Sequence, residues 1–404
     1  MIENIQALAE EIEEEVIGFR RDLHKIPEIG YDLPKTAAYV EAKLREFGIE
    51  SEKIRTGICG YGITADIVGD PAGKIVALRA DMDALLVQEE TGCQYASVHE
   101  GSMHACGHDG HTAMLLGAAK ILARHRDQLK GTVRLIFQPA EEAYIPGGAA
   151  DLSSQGVLEG VEGIYAMHLS PNEPTGTIAF NMETAMSALD GFVIELIGKG
   201  GHGSTPHKCI DAVTLSAQVI NNIQYIVSRQ SDPLETLVIT IGAIQGGTQW
   251  NIIADNVIIK GTMRSFNQEV RQRALKDLEN CVRCACENVG ATYKMTVQNA
   301  ANPLINHRSA TEFLKKALED SMGKEHVKIM SKPSMVSEDF ANYLCHVPGA
   351  IMWLGCCSGE DTSYALHHPK FNMDEAALKV GVAAHVVLAS RFLEENVELT
   401  FSVG

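Results

Sequence analysis

Metal-binding side chains are concentrated in one short segment of the chain. Thiolate and imidazole are the ligands that zinc and its transition-metal neighbours prefer. Glycines at positions 107 and 110 allow the tight backbone turns that bring such side chains together. The segment therefore predicts a metal site, and a polar loop with helix-capping histidines is the alternative. Within positions 104–111 the candidate ligands are His104, Cys106, His108 and His111.

A pair of adjacent carboxylates, Glu141 and Glu142, follows the apolar run 133–137. Neighbouring residues on an extended backbone point in opposite directions. One carboxylate could therefore bind a metal while the other accepts a proton from water as a general base. Taken alone, the pair is more typical of an exposed acidic turn.

Further histidines occur later in the chain. His168 comes directly after the apolar run 164–167, and His367 and His368 stand side by side in a predicted loop. In open α/β sheets, ligands collect at the carboxyl ends of strands. We therefore expect His168 and the acidic pair at the same edge of a sheet. Each histidine alone is also compatible with an ordinary surface or core residue.

Two aspartates, Asp81 and Asp83, follow the apolar run 75–79. Carboxylates in this position could bind a metal, could orient a ligand imidazole, or could cap the end of the strand. The residues alone leave these roles open.

Alternating helical patterns and short apolar runs indicate the elements that position these side chains. The helical patterns cover 4–26, 35–47, 112–125, 310–322 and 374–394, and the apolar runs cover 61–68, 75–79, 133–137, 164–167 and 350–354. This alternation predicts an α/β fold class in which helices flank a central mixed, mostly parallel sheet.

The pattern changes near residue 185. Four strand patterns and two helix patterns follow within roughly 110 residues, which is the size of a compact α+β unit. We therefore predict a discontinuous larger domain at 1–184 and 299–404, with an α+β domain inserted at 185–298. The strands are predicted at 192–197, 237–244, 257–263 and 293–298, and the helices at 211–227 and 269–289.

A glycine-rich loop at 198–203 matches the dinucleotide-binding fingerprint and follows a predicted strand. The next predicted strand ends in Ala243-Ile244-Gln245, without the acidic residue that would bind a ribose. A nicotinamide-dependent oxidoreductase is therefore a disfavoured alternative, and it would require tight NAD or NADP binding.

Composition excludes several classes of protein. The 404 residues are 45% hydrophobic and 21% charged, with a net charge of −18, which is typical of a soluble globular protein and disfavours nucleic acid as a partner. No uninterrupted apolar run reaches the roughly 18 residues of a membrane span. The first residues lack the features of a signal peptide, so we expect a cytoplasmic protein whose ten cysteines are reduced.

Together these segments resemble the amidohydrolase branch of the dinuclear metallopeptidase/aminoacylase family, which includes hippurate hydrolases, N-acyl-amino-acid amidohydrolases and auxin-conjugate hydrolases. The resemblance extends from residues 20–24 to residues 366–371. The segment 104–111 and the acidic pair carry it most specifically. Residues 198–207, 261–264 and 337–340 support it independently.

The resemblance implies two divalent metal ions, of zinc, manganese, cobalt or nickel. Glu141 would be the general base. Asp83 would contact the ligand residues without binding a metal itself. Asp81 stands where some relatives have a ligand histidine, and Cys106 is the expected replacement. The family pattern favours His368 over its neighbour His367. The implied ligands are Cys106, His108, Glu142, His168 and His368.

The resemblance also implies that the inserted domain is a lid through which many members form homodimers. His202 would stabilise the oxyanion in a neighbouring active site. Asn251 and Arg264 would contact the substrate carboxylate, although a turn-capping asparagine and a surface arginine are their ordinary interpretations. Leu86 and Ala254 stand where the family usually has proline, which affects the expected loop shape.

The implied activity is metal-dependent hydrolysis of N-acyl amino acids, releasing a carboxylic acid and a free amino acid. The substrate would be a small molecule, with no nucleic acid or membrane as partner. A dipeptidase or carboxypeptidase with the same site is the alternative within enzymes. A catalytically silent binding protein would lack the general base or a ligand, and the sequence retains both.

Overall fold

The chain divides into two compact units in this computed structural model, which describes residues 2–142 and 147–401. The first unit consists of the described residues within Met1–Ala185, Ile305–Pro333 and Asp339–Gly404. The second consists of Met186–Leu304 and Ser334–Glu338.

The helices and strands of the described residues follow one another along both units. The helices are α1 Ile5–Glu11, α2 Glu13–His24, α3 Pro34–Glu46, α4 His108–Arg124, α5 Gly148–Ser154, α6 Ala212–Tyr225, α7 Gln268–Val289, α8 Arg308–Met322, α9 Ala341–Leu344 and α10 Ala376–Glu394. The strands are β1 Ile54–Ile58, β2 Gly62–Val68, β3 Lys74–Asp81, β4 Gly131–Gln138, β5 Val161–Pro174, β6 Ile178–Phe180, β7 Thr184–Met186, β8 Ala188–Ile197, β9 Gly201–His202, β10 Leu237–Gly246, β11 Ile252–Ile253, β12 Asn256–Ser265, β13 Thr292–Ala301, β14 Leu304–Ile305, β15 Val327–Ile329 and β16 Gly349–Cys357.

An eight-stranded sheet in the order β1-β2-β4-β3-β5-β16-β6-β15 forms the centre of the first unit. The pairs β3–β4, β3–β5, β5–β16 and β6–β15 are parallel, whereas β1–β2, β2–β4 and β6–β16 are antiparallel. Strands β3, β4 and β16 are buried along most of their length, as expected for strands covered on both faces. The predicted α/β fold class is confirmed.

Helices α2, α4 and α10 pack against one another in the first unit. Most residues of α4 are buried, because apolar side chains occupy nearly its whole circumference. Helix α10 is long and apolar enough to span a membrane by composition alone, but 78% of its apolar window is buried inside the protein. That burial is typical of a core helix.

Two predicted elements differ from the observed ones in an informative way. The helix predicted over 4–26 is interrupted at Ile12, whose backbone angles (φ −106°, ψ 7°) are not helical. Strand β5 continues well beyond the predicted run 164–167, because β16 remains paired with it as far as Pro174. His168 is therefore inside a strand, just beyond the part of β5 that pairs with β3.

The second unit contains a four-stranded antiparallel sheet in the order β10-β12-β8-β13, together with α6 and α7. This α+β composition is the one predicted. Asp211 and Asn267 cap the two helices by accepting hydrogen bonds from backbone N–H groups of the first turn. The inserted domain's role as a lid and dimerisation domain stays a prediction.

The bounds of the second unit differ from the predicted 185–298 at the C-terminal side. Strand β13 continues to Ala301. Residues 334–338 also belong to this unit, because Ser334 bridges to Met186 and the Ser187 N–H donates to the Val336 carbonyl at 3.0 Å. Such a return of distant residues leaves no local pattern in the sequence.

The glycine-rich loop does not have the context of a dinucleotide site. It leads into β9, which pairs with β11, and the next α-helix begins only at Ala212. A dinucleotide fingerprint requires the loop to open directly into a helix. The structure therefore gives the nicotinamide alternative no support.

A core leucine in α4 tests the packing of the first unit. Leu115 is fully buried, so we expect Leu115→Ala to lower the free energy of unfolding by about 2–5 kcal/mol. The matched control is Leu86→Ala, whose side chain is 79% exposed and whose loss we expect to cost less than about 0.5 kcal/mol. Urea unfolding midpoints compare the variants, and equal shifts would contradict the described packing.

Candidate metal centre

The carboxyl ends of two neighbouring parallel strands bring the acidic residues together. In the β3–β4 register, Asp81 lies opposite Gln138, the last residue of β4. Asp83 follows β3 by two residues, and the Glu141–Glu142 pair follows β4 by three. Parallel neighbours end at the same edge of a sheet, so these carboxylates share one region of the first unit.

Asp83 fixes the backbone of the acidic pair. Its two carboxylate oxygens accept hydrogen bonds from the Glu141 N–H at 3.0 Å and the Glu142 N–H at 3.1 Å. Its backbone carbonyl lies 2.8 Å from Nδ1 of His108. Asp83 thus orients the backbone of the acidic pair and the imidazole of His108. The resemblance implies the same kind of role, in which Asp83 supports the ligand residues without binding the metal itself.

His108 and His168 are oriented in the same way. Nδ1 of His168 lies 2.8 Å from the Leu169 carbonyl, as Nδ1 of His108 does from the Asp83 carbonyl. A carbonyl oxygen only accepts, so each Nδ1 carries the proton and each Nε2 of a neutral ring is left with a lone pair. Ligand histidines commonly have this second hydrogen bond.

Cys106 lies beside both of these rings. Its Sγ is 3.5 Å from Nε2 of His168, and the ligand atoms of Cys106, His108 and His168 all lie within 4.8 Å of one another. All three side chains are buried. Burial and the nearby carboxylates Glu142 and Glu141 raise the pKa of the Cys106 thiol well above its usual range in the absence of a cation. A bound cation would favour the thiolate instead.

His367, and not the predicted His368, lies next to Glu142. Nε2 of His367 is 3.1 Å from Oε1 of Glu142, and these two residues form one group of candidate ligands with Cys106. His368 instead stacks on the Tyr364 ring, with 4.8 Å between ring centroids. Its Nδ1 accepts the Lys370 N–H at 3.0 Å.

The backbone explains which of the two histidines turns inward. His367 has a left-handed conformation (φ 67°), and its N–H donates to the Ala105 carbonyl at 2.8 Å. That contact ties the loop to the Cys106 segment and directs the neighbouring rings to different sides. Spacing along the chain contains no signal for a left-handed residue at this position, so sequence reasoning named both histidines but favoured His368.

His111 is excluded as a ligand by its own hydrogen bonds. Nδ1 lies 2.6 Å from Oδ1 of Asp81, and Nε2 accepts the Leu169 N–H at 2.9 Å. Asp81 also pairs with Arg79, whose Nη1 lies 2.6 Å from Oδ2. Burial opposes ionisation of Asp81, but His108, Arg79 and His111 hold its pKa well below the usual range. Asp81 therefore acts in orienting His111.

His104 is the third histidine of the segment, and it is also separate from the group. Both ring nitrogens are buried without a hydrogen-bond partner among residues 2–142 and 147–401. Burial lowers the pKa of His104 to about 3, so the ring is neutral at physiological pH. Of the three histidines in the segment, His108 is a ligand candidate, His111 is held by Asp81 and Leu169, and His104 is a core residue.

The remaining candidate, Glu141, lies close to these groups. Its Oε2 is 4.0 Å from Nε2 of His108, and both carboxylates of the acidic pair are within 4.8 Å of that imidazole. Ala140 has a left-handed backbone (φ 59°), so the extended conformation ends before Glu141. The alternation that would direct the two carboxylates apart therefore does not apply to this pair. Both side chains consequently remain near the same centre.

The donor set fits a divalent cation. Nε2 of His108 is buried without a hydrogen-bond partner in the described part of the chain. Burial opposes its protonation, yet Asp81, Asp83 and Glu142 raise the pKa of His108 to about 10. The surroundings therefore favour a positive charge at this position. A thiol, imidazoles and a carboxylate are also the ligand types of zinc and its neighbours.

The three residues predicted in the inserted domain lie in the second unit. His202 and Asn251 are neighbours there, because β9 pairs with β11 and the Gly203 N–H donates to the Asn251 carbonyl at 2.9 Å. His202 Nδ1 accepts the Ser204 N–H at 3.1 Å. Arg264, on β12, donates from Nη1 to the Met335 carbonyl at 2.7 Å. Their predicted roles stay predictions.

Alanine substitutions at the two adjacent histidines separate their roles. Removing a residue that only orients a ligand typically weakens metal affinity by roughly 10- to 100-fold. We expect His367→Ala to weaken metal affinity by more than this, because it removes a ligand. His368→Ala, the matched control, should bind metal like the unmodified chain. Elemental analysis after dialysis against buffered zinc measures the difference, and a larger loss in His368→Ala would reverse the assignment.

Comparisons with known proteins identify the family of this chain. The family model of peptidase family M20/M25/M40 matches residues 77–391. An N-acetyl-L-cysteine deacetylase from Bacillus subtilis is 38% identical over 97% of this chain and 91% of its own length. A thermostable carboxypeptidase from Saccharolobus solfataricus is 38% identical over 97% of this chain and 99% of its own length.

A solved structure shows the same similarity in three dimensions. The crystal structure of a dinuclear metal-binding peptidase of the M20 family from Bacillus subtilis has a TM-score of 0.82 and 34% identity, and covers 95% of this chain and 99% of that chain. The resemblance stated from the sequence is confirmed. This chain belongs to peptidase family M20/M25/M40 and is a metal-dependent amide hydrolase.

Proposed function

We propose that this enzyme hydrolyses the amide bond of N-acyl amino acids and releases a carboxylic acid and a free amino acid. The single observation that supports this most is the geometry of the acidic pair. Glu142 groups with Cys106 and His367, while Glu141 stands beside it near His108. This grouping supports a centre in which candidate ligands stand next to a carboxylate that can transfer protons.

We propose five metal ligands, taken from the candidate groups that contain Cys106. The metals would be two divalent ions of zinc, manganese, cobalt or nickel, which mixed thiolate, imidazole and carboxylate ligands accept. When bound, such ions polarise the amide carbonyl and lower the pKa of water towards neutrality. The proposed ligands are Cys106, His108, Glu142, His168 and His367.

Glu141 acts as the general base in this proposal. Its carboxylate accepts a proton from the attacking water and delivers that proton to the nitrogen of the leaving amino acid. Asp83 supports this role, because its carboxylate holds the Glu141 N–H at 3.0 Å and limits the backbone movement of the pair. A positioned base contributes typically about 10²- to 10⁴-fold to the rate.

Three side chains of the second unit are proposed to act on the substrate. His202 donates a hydrogen bond to the developing oxyanion, which is a major source of catalytic stabilisation in acyl transfer. Arg264 and Asn251 bind the α-carboxylate of the amino acid, for which a guanidinium is well suited. The enzyme would then require a free carboxylate next to the scissile amide.

The second unit is also the proposed site of dimerisation. We propose a homodimer formed through the second unit, supported by the edge strand β10, which exposes Val238 and Ile244. Trp250, at 95% exposure, lies in the same unit.

We also propose a cytoplasmic location, because the ten cysteines are free thiols in this structure.

The second candidate is a carboxypeptidase or dipeptidase that uses the same centre. It is favoured by the similarity to the thermostable carboxypeptidase. Both reactions release an amino acid with a free α-carboxylate, so they share the leaving group and differ only in the acyl side. The acyl group is therefore what an experiment has to vary.

A substrate panel distinguishes the two candidates. Acetyl-, benzoyl- and aminoacyl-derivatives of one amino acid are compared at equal concentration, and release of the free amino acid is measured. We expect the acetyl or benzoyl compounds to give the higher kcat/KM, and chelation followed by zinc addition to remove and restore the activity. Preference for the aminoacyl compounds would favour the peptidase, and chelator-resistant activity would contradict the proposed metal dependence.

Glu141→Gln tests the general base. The substitution keeps the shape of the side chain but removes its ability to accept a proton, so we expect kcat to fall by about 10²- to 10⁴-fold while metal content stays the same. Glu100→Gln is the matched control on an exposed residue and should keep full activity. Turnover near the unmodified level in a metal-loaded Glu141→Gln enzyme would remove Glu141 from this role.

A further inference from the structure

A second group of candidate metal ligands lies in the first unit and shares no residue with the proposed catalytic centre. It consists of His24 on α2 and of Glu89 and Cys93 in the segment between β3 and α4. Their ligand atoms all lie within 4.8 Å of one another. Imidazole, carboxylate and thiolate are each ligands of zinc.

The observed distances match those between the ligands of a tetrahedral zinc ion. Bonds of about 2.1 Å to nitrogen or oxygen and about 2.3 Å to sulfur separate neighbouring nitrogen and oxygen ligands by about 3.4 Å, and oxygen and sulfur ligands by about 3.6 Å. Nε2 of His24 lies 3.3 Å from Oε1 of Glu89. Sγ of Cys93 lies 3.7 Å from the same oxygen. Both distances to Oε1 of Glu89 are thus close to the tetrahedral values, and Nε2 of His24 and Sγ of Cys93 lie within 4.8 Å of each other.

His24 is oriented as a ligand imidazole. Its Nδ1 lies 2.7 Å from Oδ2 of Asp109, so the other nitrogen, Nε2, faces Glu89. A carboxylate behind a ligand histidine is a common arrangement in zinc proteins. The charge of Asp109 is balanced separately, because Nε of Arg20 lies 2.9 Å from the same carboxylate oxygen. Asp109 can therefore orient the ring without adding uncompensated charge.

Glu89 is held in place by neighbouring hydrogen-bond donors. Its Oε2 accepts the Ser97 N–H at 2.6 Å, and its Oε1 accepts the Thr91 hydroxyl. The side chains of His24 and Glu89 are buried, whereas Cys93 is half-buried. Cys93 thus gives an ion access from solvent.

We propose that His24, Glu89 and Cys93 bind one additional divalent cation of the zinc class, with water as the fourth ligand. A neutral imidazole, a carboxylate and a thiolate would balance the two positive charges of the ion. The ion would fasten the Glu89–Cys93 segment to α2. In the alternative without an ion, a protonated His24 forms a simple ion pair with Glu89.

The number of zinc ions bound per chain tests this site when variants are compared with the unmodified chain. The zinc-loaded, dialysed chain is compared with Cys93→Ser and Glu89→Gln by elemental analysis. We expect each variant to hold one zinc ion fewer than the unmodified chain. Cys284→Ser, an exposed cysteine in the second unit, is the matched control and should lose none. Equal zinc content in the unmodified chain and both variants would overturn the proposal.

Cobalt provides a second readout that also identifies the thiolate. A thiolate bound to Co²⁺ gives an intense charge-transfer absorption, and Cys106 would contribute one such signal in the catalytic centre. We expect Cys93→Ser to lose a second, separate part of that absorption while its rate of hydrolysis stays unchanged. Full absorption in Cys93→Ser would contradict the proposal. Because zinc content and cobalt absorption are compared between variants, these two readouts stand whether or not the proposed substrate is correct.

Discussion

Negative charge buried at one edge of the central sheet is the constraint on which the arrangement of the first unit depends. Asp81 and Asp83 are almost completely buried, and Glu142 lies beside them with little exposure. An unpaired buried charge costs several kcal/mol, so each carboxylate needs a partner. Asp81 has Arg79 and His111, and Asp83 has two backbone N–H groups. The carboxylate of Glu142 interacts with the partly exposed His367 imidazole and with the Cys106 thiol, two groups that can themselves bind a cation.

Hydrogen bonds to the ring nitrogens distinguish His108 and His168, which can bind a metal, from His111. His108 and His168 both have Nδ1 bonded to a backbone carbonyl, which leaves Nε2 directed at the centre. His111 has both nitrogens occupied, by Asp81 and by the backbone of Leu169. Residues of one type and one short segment thus have different roles because their surroundings differ.

Most of the architecture could be predicted from the sequence, because it follows from repeated local patterns. Apolar periodicity identified the strands β3 and β4, and the change of pattern near residue 185 indicated the α+β unit. The cluster of thiol and imidazole groups identified the metal segment. Each of these signals is contained within a few consecutive residues.

The remaining features depend on backbone angles and distant contacts. The choice of His367 over His368 follows from a left-handed residue and its bond to Ala105, and neither is visible in residue spacing. The two N–H groups held by Asp83 come from more than 50 residues away along the chain. The return of residues 334–338 to the second unit is likewise a long-range contact.

Anomalous diffraction shows directly whether the five proposed ligands hold the catalytic metals. Crystals of the zinc-loaded enzyme are measured above and below the zinc absorption edge. We predict two anomalous peaks at bonding distance, about 2.0–2.3 Å, from ligand atoms of Cys106, His108, Glu142, His168 and His367. The absence of any peak among these side chains, or a peak bonded to His368 in place of His367, would overturn the proposed ligand set.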